Sequence, residues 1–100
     1  MGRIAFWIAY LFYTLPADNR DNRLHIHIFK GKGKHIQSLA KIWIEQNGVK
    51  NISVAYNKGV PAKDLKIILQ LIDENWNDLI KQIDDSFKGK NISIIELKMK

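Results

Sequence analysis

Cysteine is absent from this 100-residue chain, which excludes a disulfide framework, thiolate metal sites and cysteine nucleophiles in one step. Any chemistry must come from histidine, carboxylates, lysine or hydroxyls. Proline is scarce, two residues against six glycines, so the few positions that break regular structure carry weight. No apolar run is long enough to cross a bilayer. The longest, residues 4–13, falls well short of a span, and although Arg3 precedes it, no small-x-small cleavage site follows closely enough for a secretory signal. Acidic residues are thin in the first half: residues 1–50 hold eight Lys or Arg against Asp18, Asp21 and Glu45, a surplus of five within a formal net charge of +6. Such a local excess attracts phosphate or acidic protein surfaces, and it also serves solubility.

What is present is the composition of an ordinary folded protein, 46% apolar and 26% charged, at the length of a single domain covering residues 1–100. Residues 4–13, rich in Phe, Trp, Tyr and Ile, read as a strand buried on both faces. The tandem Asp18-Asn19-Arg20 and Asp21-Asn22-Arg23 is a hairpin loop, because Asp and Asn side chains bond their own backbone and tolerate left-handed conformations. The stretch from Arg23 to Phe29 alternates: Leu24, Ile26 and Ile28 share one sheet face, and Arg23, His25, His27 and Phe29 the other. Lys30-Gly31-Lys32-Gly33-Lys34 forms a basic turn with His35 beside it. It lacks the Gly-Lys-Ser/Thr ending of a phosphate-binding P-loop.

A third strand is expected over residues 39–45, with Ala40, Ile42 and Ile44 facing the core and Lys41, Trp43 and Glu45 facing away. Asn47-Gly48 signals a turn, and residues 51–56 alternate as a fourth strand through Ile52, Val54 and Tyr56. From Pro61 an apolar stripe repeats at three- and four-residue steps, from Leu65 through Ile68, Ile72, Leu79 and Ile83 to Phe87, and Gly89 ends it. One straight helix of that length would outrun a globule of this size, so a bend or break is expected near Asp73 to Asn75. Residues 91–97 read as a last strand, joining the sheet edge or pairing with a second molecule. The fold class is therefore α+β: an antiparallel sheet of four to five strands, with one long or broken amphipathic helix packed on one face.

On the uncovered face the alternation gathers the candidate chemistry. His25 and His27, with Lys41 and Glu45 on the neighbouring strand, form a general acid–base set beside a phosphate-stabilising cation, the constellation of metal-independent RNA cleavage. The alternative is metal binding: two imidazoles at i and i+2 on a strand reach a common ion, with His35 or Glu45 as third ligand. The plainer reading leaves the histidines as polar positions on a solvated face. For nucleic acid, Arg20, Arg23, Lys30, Lys32 and Lys34 supply phosphate contacts and Trp43 a stacking surface. A partner protein docking on Phe29 and Trp43 would leave the same pattern. No cofactor is expected.

His25-Ile26-His27-Ile28 and Ala40-Lys41-Ile42-Trp43-Ile44-Glu45, in the order strand, Asp/Asn-rich turn, His-x-His strand, glycine-basic turn, Ala-Lys-Ile-Trp strand and Pro61-initiated helix, resemble the prokaryotic domain-of-unknown-function family numbered 4160. The resemblance covers residues 4–87. It departs from the family at Arg23-Leu24, where a proline-rich dipeptide is usual, at Ile83, where tryptophan is usual, and in the additional strand at 91–97. The resemblance implies a free-standing cytoplasmic protein in a toxin–antitoxin-like pair with a small cognate protein, and no activity that holds for the family as a whole. RNA as a partner follows instead from the basic and aromatic face, the absence of a membrane span from the short apolar run, and a homodimer from the last strand at a sheet edge.

Overall fold

A computed structural model describes residues 2–14, 23–30, 38–46 and 49–99, with Arg23 and Gln46 described by backbone alone. The strands are β1 (Gly2–Trp7), β2 (Tyr10–Thr14), β3 (Arg23–Lys30), β4 (Ser38–Gln46), β5 (Val49–Asn57) and β6 (Ile95–Glu96); the helices are α1 (Ala62–Glu74) and α2 (Trp76–Phe87). They build a six-stranded sheet in the order β5-β4-β3-β2-β1-β6. The sheet is mixed: β1 to β5 form an antiparallel meander, and β6 pairs in parallel with β1. The expected four to five strands are six, the sheet is not entirely antiparallel, the final strand is shorter than 91–97, and the long or broken helix is two helices divided within the expected stretch. The loop expected over residues 16–22 lies outside the described residues, but the strands on either side of it are antiparallel neighbours.

The apolar run at 4–13 is two strands rather than one. Trp7 pairs directly with Tyr10, leaving Ile8 and Ala9 as a two-residue turn in which Ile8 takes φ 53°. A positive φ at the first turn position suits glycine, whereas a β-branched residue there meets its own backbone. No residue at this turn advertises it in the sequence. Since Ile8 is 72% exposed, its side chain contributes little packing to set against that strain. Ile8→Gly is therefore expected to stabilise the protein by about 1 kcal/mol, relief of ~1–2 kcal/mol being partly offset by the greater chain entropy of glycine. A thermal melt should rise by about 4–8 °C.

The helices cover one face. Ile26, Ile28, Ala40, Ile42 and Ile44 are buried beneath Ile68, Leu71, Ile72, Leu79 and Ile83, with Ile4 and Phe12 in the same cluster and Leu24 packed at its margin. The parity of the two central strands is thus as expected. The break between the helices falls at Asn75, which is buried; its Nδ2 donates to the Leu71 carbonyl at 2.8 Å and to the Lys98 carbonyl at 3.0 Å, tying the break to the C-terminal segment. A continuous helix from 62 to 87 would reach about 39 Å, against a longest molecular dimension of 30 Å. Ahead of α1, Asn57 Oδ1 accepts from the backbone N–H groups of Gly59 and Val60, closing the turn that delivers Pro61 to the helix start.

The first turn of α1 is tied to the sheet by Tyr10, whose hydroxyl donates to Asp64 Oδ2 at 2.6 Å. Burial, and then the hydrogen bond to the Asp64 carboxylate and its charge, push the Tyr10 hydroxyl up from 10.0 to about 12. From pH 10 upward the unfolded chain gives up a proton that the folded chain retains, so this contribution is whole below pH 10 and is lost as the pH rises toward 12. Thermal melts across that window should show a steeper loss of stability for the natural chain than for Tyr10→Phe.

Candidate nucleic-acid interface

Opposite the helices, cross-strand pairing lines up one side chain from each of five strands. Arg3 pairs with Tyr13, Tyr13 with His27, His27 with Lys41, and Lys41 with Tyr56. Directly paired residues point to the same face, so this row crosses the sheet as cation, phenol, imidazole, cation, phenol. His25 and Trp43 form a second pair alongside. The rings are in contact: His25 lies 5.2 Å from His27 and 4.9 Å from Trp43 between centroids, edge to face in both cases. Tyr13 meets Phe29 in the same way at 4.9 Å.

Cations cap the aromatics. Lys41 Nζ stands 4.4 Å from the Trp43 ring centroid, and Lys58 Nζ 5.1 Å from that of Tyr56. At the other end Arg3 Nε donates to the Tyr13 hydroxyl at 3.0 Å. Trp43, Lys41 and Tyr56 are half-buried, and Arg3 and Lys58 are exposed.

Burial on this face departs from the sequence reading. His25 and His27 point away from the helices as expected, yet they are only 4% and 8% exposed, and His25 Nδ1 and His27 Nε2 are shielded from solvent. The solvated-face reading of the pair is thereby corrected. Phe29 is also buried, so it is not an exposed docking aromatic. The physical reason is crowding: Tyr13, Phe29, His25 and Trp43 sit on adjacent strands and cover one another's edges.

Two bulges decide which polar groups reach the histidines. Between Ile28 and Phe29 the register with β4 slips by one residue, so that Phe29 pairs with Ser38 while Ile28 pairs with Ala40. Ser38 is thereby brought onto the histidine face, where strict alternation would have put it with Ala40 in the core. Its Oγ donates to the Ala40 carbonyl at 3.2 Å and accepts from the Tyr56 hydroxyl at 2.9 Å. His27 Nδ1 lies 3.3 Å from the same oxygen. The donor and acceptor roles in this contact follow the tautomer of the imidazole.

The second bulge removes Glu45 from the set. Leu24 pairs with Glu45 but His25 pairs with Trp43, so Ile44 is the extra residue and Glu45 turns to the helix side with Leu24. Glu45 does not join His25, His27 and Lys41, and among the described residues no group of three His, Asp or Glu gathers around an ion. Lys30 pairs with Tyr10, a core residue, and so stands at the helix side of the end of β3. Arg23 opens β3 opposite Gln46. Arg20, Lys32, Lys34 and His35 lie outside the described residues. A third bulge, at Ala55, sets Val54 opposite Ile42 and Tyr56 opposite Lys41, so Ile52, Val54 and Tyr56 do not share one face.

Sequence reasoning missed Arg3, Tyr13, Ser38, Tyr56 and Lys58. Tyr13 was hidden by the unrecognised turn at Ile8, and Arg3, Ser38 and Tyr56 by bulges, that of Arg3 lying at Ile4 in β1. Only the Lys-aromatic spacings at 41/43 and 56/58 were open to view, the first as i, i+2 neighbours on one side of β4 and the second across the end of β5 at Asn57.

Among the described residues no helix is long and apolar enough to cross a membrane. No curated protein and no solved structure matches the chain. A family model described as Domain of unknown function (DUF4160) matches residues 8–82, a stretch that contains β2 to β5, α1 and the first half of α2, and with them both histidines, Lys41, Trp43 and Tyr56. Strands β1 and β6, paired with each other at one edge of the sheet, lie outside that stretch. With three quarters of its length matched, including the whole centre of the aromatic and basic face, the chain belongs to the DUF4160 family.

Proposed function

We propose that the protein binds single-stranded RNA across the face opposite its helices. The observation that carries this reading is the pair of Lys-capped rings, Lys41 over Trp43 and Lys58 over Tyr56, on neighbouring strands. Single-stranded nucleic acid is held by bases stacking on aromatic rings while cations follow the phosphates, and a flat sheet surface presents both at the spacing of adjacent strands. The family resemblance adds the setting: a cytoplasmic component of a toxin–antitoxin-like pair with a small cognate protein.

The test is a fluorescence-polarisation titration of a labelled single-stranded RNA at two salt concentrations. If Arg3, Lys41 and Lys58 each neutralise one phosphate, affinity falls about 20-fold between 50 and 200 mM salt through counterion release. Absence of binding at both concentrations rejects the RNA reading and leaves the same face to a partner protein. Recovery of the RNA afterwards examines cleavage by His25 and His27 with Lys41. Such cleavage gives a bell-shaped rate profile between about pH 5 and 8 that is indifferent to chelator. An intact strand confines the face to binding, and a rise in thermal stability with added zinc or nickel that is lost in both His25→Ala and His27→Ala assigns the pair to a metal.

A further inference from the structure

On the helix side of the sheet, where β3 and β4 pass under α2, a cavity of about 450 Å³ opens between the layers. That volume falls in the range of small-ligand pockets. It is lined by Leu24 from the sheet and by Asn77, Ile80, Lys81, Ile83, Asp84 and Phe87 from the helix, the apolar ones being Leu24, Ile80, Ile83 and Phe87. Glu45 also lines it, turned inward by the bulge at Ile44. This carboxylate is half-buried, and among the described residues it makes no hydrogen bond or ion pair. Its cross-strand neighbour Lys50 is committed to Asp73 on α1, and Asp84 is held by Lys88.

We infer that this cavity is a binding site for a small organic cation carrying an apolar body, such as an arylalkyl amine. A carboxylate removed in part from water without a partner is costly, and an ammonium group satisfies it through a charge-assisted hydrogen bond. The four apolar side chains supply the dry surface for the rest of the ligand. An anion meets two carboxylates in the lining, Glu45 and Asp84, against the single cation Lys81. A neutral molecule of the same shape fills the walls but leaves the carboxylate as it was. The site lies across the sheet from Trp43, so it is independent of the RNA reading.

The experiment uses the full chain and three probes of one shape: 2-phenylethylamine, 2-phenylethanol and phenylacetate. Each is titrated while amide resonances are followed by NMR. The amine is expected to bind with Kd of roughly 0.1–1 mM, as suits a ligand of its size, and to shift the amides around Ile80, Ile83 and Phe87. The alcohol should bind at least tenfold more weakly and phenylacetate not at all. Glu45→Gln, which keeps the shape, should bring the amine down to the level of the alcohol with a melting temperature no lower than that of the natural chain. Ile80→Trp, at a half-exposed position, fills the volume and should abolish binding of the amine. Equal binding of amine and alcohol, unchanged amine binding in Glu45→Gln, or no binding of the amine each overturns the proposal.

Discussion

Trp43→Ala is expected to weaken binding of single-stranded RNA by about 5- to 150-fold, the equivalent of the ~1–3 kcal/mol that one base gains by stacking on an aromatic ring. The ring is the centre of the proposed interface. It is half-buried, touches His25 edge to face, and lies under Lys41, so its orientation is set before any base arrives. Truncation removes both the stacking surface and the support that holds Lys41 in place. Trp43→Phe keeps a ring at the position and should retain most of the affinity, whereas Lys41→Ala should lower it and flatten its dependence on salt by about one phosphate contact. Polarisation titrations of the three variants at one salt concentration, with melting curves as control, decide the matter. Wild-type affinity in a folded Trp43→Ala protein would remove stacking from the account.

Phe12→Ala is expected to cost about 3–5 kcal/mol of stability, which is the range for deleting a buried aromatic ring together with the cavity it leaves. Phe12 is fully buried on β2, paired with Ala5 on one side and Ile28 on the other. It belongs to the cluster under the helices, so the removed ring is missed by both layers. A domain of this size has about 5–15 kcal/mol in total, and such a loss leaves it close to unfolding. Urea denaturation should show the midpoint displaced with the slope unchanged. A loss below 1 kcal/mol would mean that the helices do not close over this part of the sheet.

The sequence by itself determined the layer architecture and the parity of the central strands. Ile26 and Ile28 on β3, and Ala40, Ile42 and Ile44 on β4, alternate with polar or aromatic residues, and a period of two admits one assignment of faces when a helix stripe must be covered. The helix stripe was equally legible, and so was its interruption near Asn75, because length alone forbade a straight run. The family was legible too, since its His-x-His and Ala-Lys-Ile-Trp strands occupy short contiguous stretches.

What only the tertiary structure decided were the places where the chain leaves its own period. Ile8 turns the chain without a turn residue, and a left-handed isoleucine is held there by the pairing of strands on either side of it, which no local propensity records. The bulges beside Phe29, His25 and Ala55 depend on the partner strand, and each exchanges a face: Ser38 and Tyr56 came to the histidines, and Glu45 left them. The partner of β6 is β1, about 90 residues away in the chain, and parallel pairing at that separation follows from where α2 delivers the chain, not from the two strand residues. The candidate site was therefore half visible. Residues paired within one strand, His25 with His27 and Lys41 with Trp43, follow from alternation, while the hydroxyls that orient His27 and the carboxylate that departed were assigned by register, a property of two strands together.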